Sequence, residues 1–263
     1  MKRRQLIRYT SAGLLTTLAT GVASGFNSSQ AQTSNGGVTV KWLGHTCFLF
    51  SGGGLDILVN PFRSVGCTAG YRPPQVPADL VLISSQLLDE GEIEGLPGKP
   101  KILFEPSVYQ IGDIKIEGFG SPHDRVGGKR FGTNVAWQWT QGGVKILHLG
   151  GATAPIEIEQ KILMGSPDIV FVPVGGGAKA YNPQEAKVAI DKLNPKLVVP
   201  THFRTQAADD TSCIGDYSIL PVDDFLNLMT GTTVRRVNSD TFSIIPQNIP
   251  QQGPVIQLMS YTF

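Results

Sequence analysis

Apolar residues recur in this chain as short runs rich in Val, Ile, Leu and Phe, broken by glycine. Val38 to Leu43, Thr46 to Phe50 and Leu55 to Asn60 are separated by Gly44-His45 and Gly52-Gly53-Gly54, and predict three strands joined by tight turns. Further strands are expected at Asp79 to Ser84, Lys101 to Phe104, Ile114 to Gly118, Asn134 to Thr140 and Lys145 to Leu149, the last two flanking a Gln141-Gly142-Gly143 hairpin signal. After Gly150 the pattern changes. Ile156 to Met164 has helical spacing, and Asp168 to Val172 and Lys196 to Pro200 read as strands. Asn182 and Pro183 supply an N-cap and a first-turn proline for a helix through Leu193, whose buried stripe is Ala186, Ala189, Ile190 and Leu193. A short helix follows Pro221 (Val222 to Leu228), and strands at Thr233 to Val237, Thr241 to Ile245 and Val255 to Met259 close the chain. Strands first, then strands mixed with helices, predict an α/β protein of packed sheets with helices outside.

Charge changes the picture at the N-terminus. Lys2, Arg3, Arg4 and Arg8 precede a moderately apolar run, Ser11 to Ala23, and Ser29-Gln30-Ala31 offers small residues for cleavage. This pattern predicts an export signal over residues 1–31, and Arg3-Arg4 followed by Gln5-Leu6-Ile7 looks like the twin-arginine type. The apolar run is shorter than the ~20 residues a membrane span needs. Those four residues are among 22 basic ones, and none of the 21 acidic residues lies before residue 32, so 32–263 carries 18 against 21, a net −3. No basic field or Arg/Lys run with interleaved aromatics is left for nucleic acid. The expectation is a single exported domain over residues 32–263, in a periplasm or equivalent lumen, with no membrane span and a small-molecule ligand or substrate. Of the three cysteines, Cys47 lies in a strand and reads as a buried thiol. Cys67 and Cys213 lie in polar loops, where an oxidising compartment permits a disulfide, though free thiols or metal ligation fit the loops equally.

Several motifs then fall into one order: Leu43-Gly44-His45-Thr46-Cys47-Phe48, Ile57-Leu58-Val59-Asn60-Pro61-Phe62, His123-Asp124 with Gly127 to Asn134, Ile146-Leu147-His148-Leu149-Gly150, Val172-Pro173-Val174-Gly175-Gly176, and Val199-Pro200-Thr201-His202-Phe203-Arg204-Thr205. Together they resemble the metallo-β-lactamase superfamily, in its metal-dependent hydrolase branch similar to L-ascorbate-6-phosphate lactonase-like proteins. The resemblance covers nearly all of residues 38–245 and implies an αβ/βα four-layer sandwich. It also implies a dinuclear zinc site built on H-x-H-x-D-H, whose histidine positions here read Ser85, Leu87 and Glu90 around a retained Asp89. The first metal would lie at Ser85, Leu87 and His123, and the second at Asp89, Glu90 and His202. Gly151 stands at the bridging aspartate and Asn60 at the aspartate of the "DPF" turn. Leucine offers no lone pair and a serine hydroxyl is a poor zinc ligand, so the standard two-zinc centre is expected to be lost.

Two alternatives stay open at that site. Asp89, Glu90, His123 and His202 could hold one divalent ion (Zn, Mn or Fe), with Asp89, His123 and His202 also moving protons in a divergent hydrolase of a small ester, lactone or phosphorylated compound. Or no metal binds, and the old cleft of a non-catalytic relative receives a ligand or partner. The run Asp89, Glu90, Glu92 and Glu94 reads equally as the acidic N-terminus of a solvated helix. His45 is either a donor beside the site or a structural histidine, and His148 is expected to be structural. Arg130 and Arg204 read as an anion fork, or as solvated surface charges or intramolecular ion-pair partners. Gly175-Gly176-Gly177 reads as a turn, Ser84 and Ser85 lack a triad's partner order, and Trp42, Trp137 and Trp139 read as core or pocket wall.

Overall fold

Two facing sheets organise the chain in a computed structural model, which describes residues 36–208 and 211–263. The expected export signal lies outside the described residues, and no described helix is long and apolar enough to cross a membrane. The strands are β1 (Val38–Gly44), β2 (Cys47–Gly52), β3 (Leu55–Val59), β4 (Leu80–Leu82), β5 (Lys101–Leu103), β6 (Val108–Ile111), β7 (Ile114–Pro122), β8 (Thr133–Gln141) and β9 (Val144–His148). Then follow α1 (Ile158–Met164), β10 (Ile169–Pro173), α2 (Pro183–Leu193), β11 (Leu197–Thr201), α3 (Val222–Leu228), β12 (Thr233–Arg236), β13 (Thr241–Ile244) and β14 (Val255–Leu258). The first sheet has six strands in the order β13-β1-β2-β3-β4-β5, and the second eight, β12-β14-β11-β10-β9-β8-β7-β6.

The inner faces follow from period-two alternation. Phe48 and Phe50 on β2, Ile57 and Val59 on β3, and Leu80 and Leu82 on β4 are buried in one core with Trp139, Phe171 and Val199 of the other sheet. Phe171 meets Phe48 and Phe50 edge-on at 4.8 and 5.0 Å between ring centroids, and Phe50 meets Trp139 at 5.0 Å. The Gln141 carboxamide ties the sheets, accepting from the Trp139 indole (3.0 Å) and donating to the Gly52 and Leu55 carbonyls (2.9 and 2.8 Å).

Parallel pairing of β9, β10 and β11 requires crossover connections, and α1 and α2 supply them. Asn182 caps α2 by accepting from the Glu185 N–H (2.9 Å) while Glu185 reaches back to the Asn182 N–H (2.9 Å), a capping box. Its buried residues are Pro183 and the predicted stripe of Ala186, Ala189, Ile190 and Leu193. On the outer face of the six-stranded sheet, the fourth layer is built from loops where the resemblance implied helices. Phe62 and Tyr71 from the loop after β3 cover Cys47, Leu58 and Val81.

The expected acidic helix at Asp89 to Glu94 is a correction. Residues 88–90 form a turn, in which Glu90 and Gly91 N–H both donate to the Leu87 carbonyl (3.0 and 2.7 Å), and no helix follows. The physical reason is that Glu90 is fully buried and Gly91 packs so tightly on Ser85 that an added Cβ would lie 2.3 Å from the Ser85 carbonyl oxygen. A solvated helix face is impossible there.

Candidate functional site

Every candidate residue sits just beyond the C-terminal end of a strand. His45 follows β1, Asn60 follows β3, Asp89 and Glu90 lie on the loop after β4, and His123 follows β7. Gly151 comes after β9, the glycine loop after β10, and His202 after β11. That edge is where open α/β sheets collect their ligand sites. Among the described residues four non-glycine positions adopt left-handed backbone, and three of them are here: His45, Asn60 and His202, each near φ 50°. Such backbone costs ~1–3 kcal/mol and persists where the surroundings impose it. The Trp42 indole holds the His45 carbonyl (3.1 Å), and the Asn60 carboxamide accepts from the Ser84 N–H (2.8 Å). Gly175 lies so close to His202 that a Cβ there would meet its carbonyl oxygen at 2.1 Å.

The structure brings the candidates together in two groups. In the first, the His45 and His202 rings lie 4.3 Å apart between centroids, and Asp89 makes an ion pair with Lys179 beside them. All four line one cavity of about 190 Å³, walled by Val65, Leu88, Tyr217 and Ile219 and by the Cys67 end of a Cys67–Cys213 disulfide. In the second group, His123 Nε2 lies 3.5 Å from Glu90 Oε2, both fully buried. Asp89 and Glu90, adjacent in sequence, thus serve different partners. Among the described residues, no three His, Cys, Asp or Glu side chains form a group able to hold a metal ion. Ser85 and Leu87, two of the expected lost ligand positions, open on a separate cavity of about 430 Å³ with Phe104 and Phe131.

Burial sets the charges. It holds the imidazoles of His45 and His123 down at about 4 and that of His202 well below its ordinary value, so all three are neutral at pH 7. Burial pushes the Glu90 carboxyl up to about 8, against the opposing pull of the Lys179 charge. Burial is the largest influence on Asp89 and would raise it, yet the Lys179 ammonium with its hydrogen bond, helped by His45 and His202, brings the carboxyl below its ordinary value. Both His45 ring nitrogens, His202 Nδ1, both His123 ring nitrogens and both Glu90 oxygens find no hydrogen-bond partner in strict geometry among the described residues. Buried polar atoms left so are rare and call for an occupant or a chemical role.

Lys179 and the side chain that positions it had no signature in the sequence. Arg125 donates to the Gly177 and Ala180 carbonyls (2.9 and 3.0 Å), on either side of Lys179, and pairs with Glu185 of the α2 capping box (2.7 Å). The ammonium is therefore held by a connected series from the start of α2 to Asp89. Replacing Arg125 with alanine is expected to free this turn at a cost of about 1–2 kcal/mol, the worth of two hydrogen bonds from a charged donor. Amide exchange should accelerate at Gly177 to Ala180 and stay unchanged in β10 and β11. Uniform acceleration through both strands would refute the local role.

Asp124 has a structural role. Its carboxylate accepts the N–H groups of Val126, Gly128, Arg130 and Phe131 at 2.7–2.9 Å, and despite desolvation those bonds pull it down to about 2. His148 is also structural. Its Nδ1 accepts from the Gly150 N–H (3.1 Å), so Nε2 carries the proton and donates to the Thr46 carbonyl (3.0 Å). Arg130 pairs with Asp216 (3.3 Å) and stacks over Phe131 and Tyr217, and Arg204 lies in a backbone bridge to Pro221. Trp42, Trp137 and Trp139 are core residues, and Cys47 is a buried free thiol.

Residues 39–202 match the Beta-lactamase superfamily domain. A UPF0173 metal-dependent hydrolase of Thermococcus onnurineus is 28% identical over 193 residues, 64% of this chain and 85% of that protein. One of Pelotomaculum thermopropionicum is 27% identical over 195 residues, 63% and 84% of the two chains. A solved structure from Thermotoga maritima, described as a Zn-dependent hydrolase of the metallo-beta-lactamase superfamily, is similar with a TM-score of 0.66 at 28% identity. It covers 84% of this chain and 98% of its own. With the domain matched over more than half its length and two facing sheets carrying the site at their strand ends, this chain belongs to the β-lactamase superfamily and folds as its metallo-β-lactamase members do.

Proposed function

We propose that this protein is an exported hydrolase that opens a small uncharged ester or lactone in the cavity between His45, Asp89, Lys179 and His202. The observation that carries the reading is the pair of neutral imidazoles, with both His45 nitrogens and His202 Nδ1 unpartnered among the described residues, set beside an ion-paired ammonium in a small cavity with apolar walls. A neutral imidazole has a lone pair free to take a proton at pH 7; burial weakens it as a base, and the Asp89 carboxylate offsets part of that by favouring the imidazolium that forms. Water attacks the acyl carbon and gives its proton to His45 or His202. The carbonyl oxygen gains charge against the Lys179 ammonium, and the departing alkoxide takes the proton back, leaving an acid and an alcohol. The charges of Lys179 and Asp89 cancel and the histidines are neutral, so the cavity offers no net attraction to a phosphate dianion; this favours a neutral ester or lactone over a phosphorylated compound. The Cys67–Cys213 bridge at the rim supports export, since such bonds persist in oxidising compartments. The likeness to relatives named metal-dependent hydrolases supports the reaction class.

The test is hydrolysis of a panel of short esters, γ- and δ-lactones and phosphate monoesters by the whole chain, compared with His202→Ala and His45→Ala. Turnover of an ester or lactone should fall ~100-fold or more in at least one variant, as loss of a general base does. Absence of turnover across the panel, or turnover confined to phosphate esters, would overturn the reading.

A further inference from the structure

We infer that the Lys179 ammonium is the resident cation of this centre, and that the site therefore takes no divalent metal ion. The inference rests on the same cavity as the proposed hydrolysis but concerns what holds its charge. The ammonium pairs with Asp89 and lies in the cavity that His45 and His202 line. Its charge acts on every titratable candidate in both groups: His45, Asp89, Glu90, His123 and His202. Asp89, its ion-pair partner, is a second charged group that acts on the other four, and Lys179 is the positive one of the two. The site is arranged around one positive group, and that group is covalently part of the chain.

Three further observations agree. First, the ammonium is held in place: Arg125 grips the carbonyls of Gly177 and Ala180 on both sides of Lys179, and Glu185 anchors Arg125 to α2. The Lys179 side chain is itself only 12% exposed, unlike a surface lysine. Second, the space a bridging carboxylate would need is filled. A Cβ on Gly151 would lie 2.5 Å from His123 Nε2 and 2.7 Å from Glu90 Oε1. Third, a dication brought beside Asp89 would meet the ammonium at close range, and its attraction to that carboxylate is already satisfied. Ser85 and Leu87 face another cavity and supply nothing to offset this.

A lysine and a bound metal ion can serve the same electrostatic purpose, because each presents fixed positive charge to a carbonyl oxygen. They differ in what removes them. A chelator strips an ion and leaves an ammonium untouched.

The whole chain, dialysed against Zn²⁺ or Co²⁺ and then against metal-free buffer, tests this by elemental analysis and by the visible absorption of protein-bound Co²⁺. The natural chain should carry no stoichiometric metal, and its thermal midpoint should not move with chelator or with Zn²⁺. Removing the ammonium in Lys179→Ala should release Asp89 to turn toward His45 and His202, completing a three-residue set that the natural arrangement lacks, so that near-stoichiometric Co²⁺ binds and is lost again in Lys179→Ala/Asp89→Asn. Lys179→Arg, which keeps the charge, should stay metal-free. Stoichiometric metal in the natural chain, or a midpoint lowered by chelator, overturns the inference. So does a folded Lys179→Ala that takes up no metal. Where that variant does not fold, Lys179→Gln gives the same reading, and the measurements on the natural chain stand without either. The outcomes separate from those of the hydrolysis panel: a metal-free chain without esterase activity sinks the reaction and leaves Lys179 in place, whereas an active chain carrying zinc does the reverse.

Discussion

Glu90→Gln is expected to hold, between pH 6.5 and 8, the stability that the natural chain loses there. In the folded chain burial raises the Glu90 carboxyl from 4.5 to about 8, so the folded state keeps a proton that the unfolded state has released. Stability from this group is complete below pH 4.5 and is lost as pH rises through about 8. The histidines act with the opposite sign. His45 and His123 fall from 6.5 to about 4 and His148 to about 3, so the unfolded state binds more protons and stability rises with pH up to 6.5. Above 6.5 the histidine contribution is level and Glu90 acts alone. At ~1.4 kcal/mol per pH unit, the natural chain should lose roughly 2 kcal/mol between pH 6.5 and 8. Glutamine keeps the shape and cannot ionise. Urea unfolding of both chains at half-unit intervals decides the matter: parallel profiles above pH 6.5 would mean that Glu90 is already ionised when folded.

Gly151→Asp, which restores the carboxylate implied by the family resemblance, is expected to damage the protein and not to repair it. The new Cβ would fall within 3 Å of His123 Nε2 and both Glu90 oxygens. These are buried atoms on packed loops, so the strain alone should cost about 1–3 kcal/mol. A second carboxyl beside a buried first adds desolvation without a partner, taking the total to roughly 3–5 kcal/mol. Glu90→Ala/Gly151→Asp should recover much of that loss, because the removed side chain vacates the space. A double-mutant cycle in chemical denaturation measures the coupling, expected at about 1–3 kcal/mol. Additive losses would show that Glu90 and Gly151 changed independently.

The sheets were legible from the sequence because their residues state their positions locally. Alternation in Val38 to Leu43 and the Asn182-Pro183 start predict β1 and α2 closely, with α2 ending at Leu193 in both. β6 escaped notice: Val108–Ile111 is a short edge strand whose exposed and half-buried residues lack an apolar run. The place of the candidate residues in the fold was legible too, since they followed predicted strand ends. Their pairing was not. Asp89 and Glu90 share one stretch of sequence, but their directions depend on Lys179 and His123, which lie 90 and 33 residues away. Lys179 looks like any lysine in a glycine-rich loop. Only its place after β10, at the edge that gathers ligand sites, could have drawn attention to it.

The bridge between Cys67 and Cys213 closes a loop of 146 residues. It joins the loop after β3 to the segment after β11, so Asp89, Glu90, His123, Lys179 and His202 lie within one covalent ring and His45 lies just outside it. In the chain-entropy picture, a ring of this size removes about 5 kcal/mol of freedom from the denatured ensemble. The same bond that frames the cavity therefore acts most strongly when no cavity exists. A denatured but oxidised chain keeps residues 67 and 213 tethered, and begins refolding with the two sides of the site already linked.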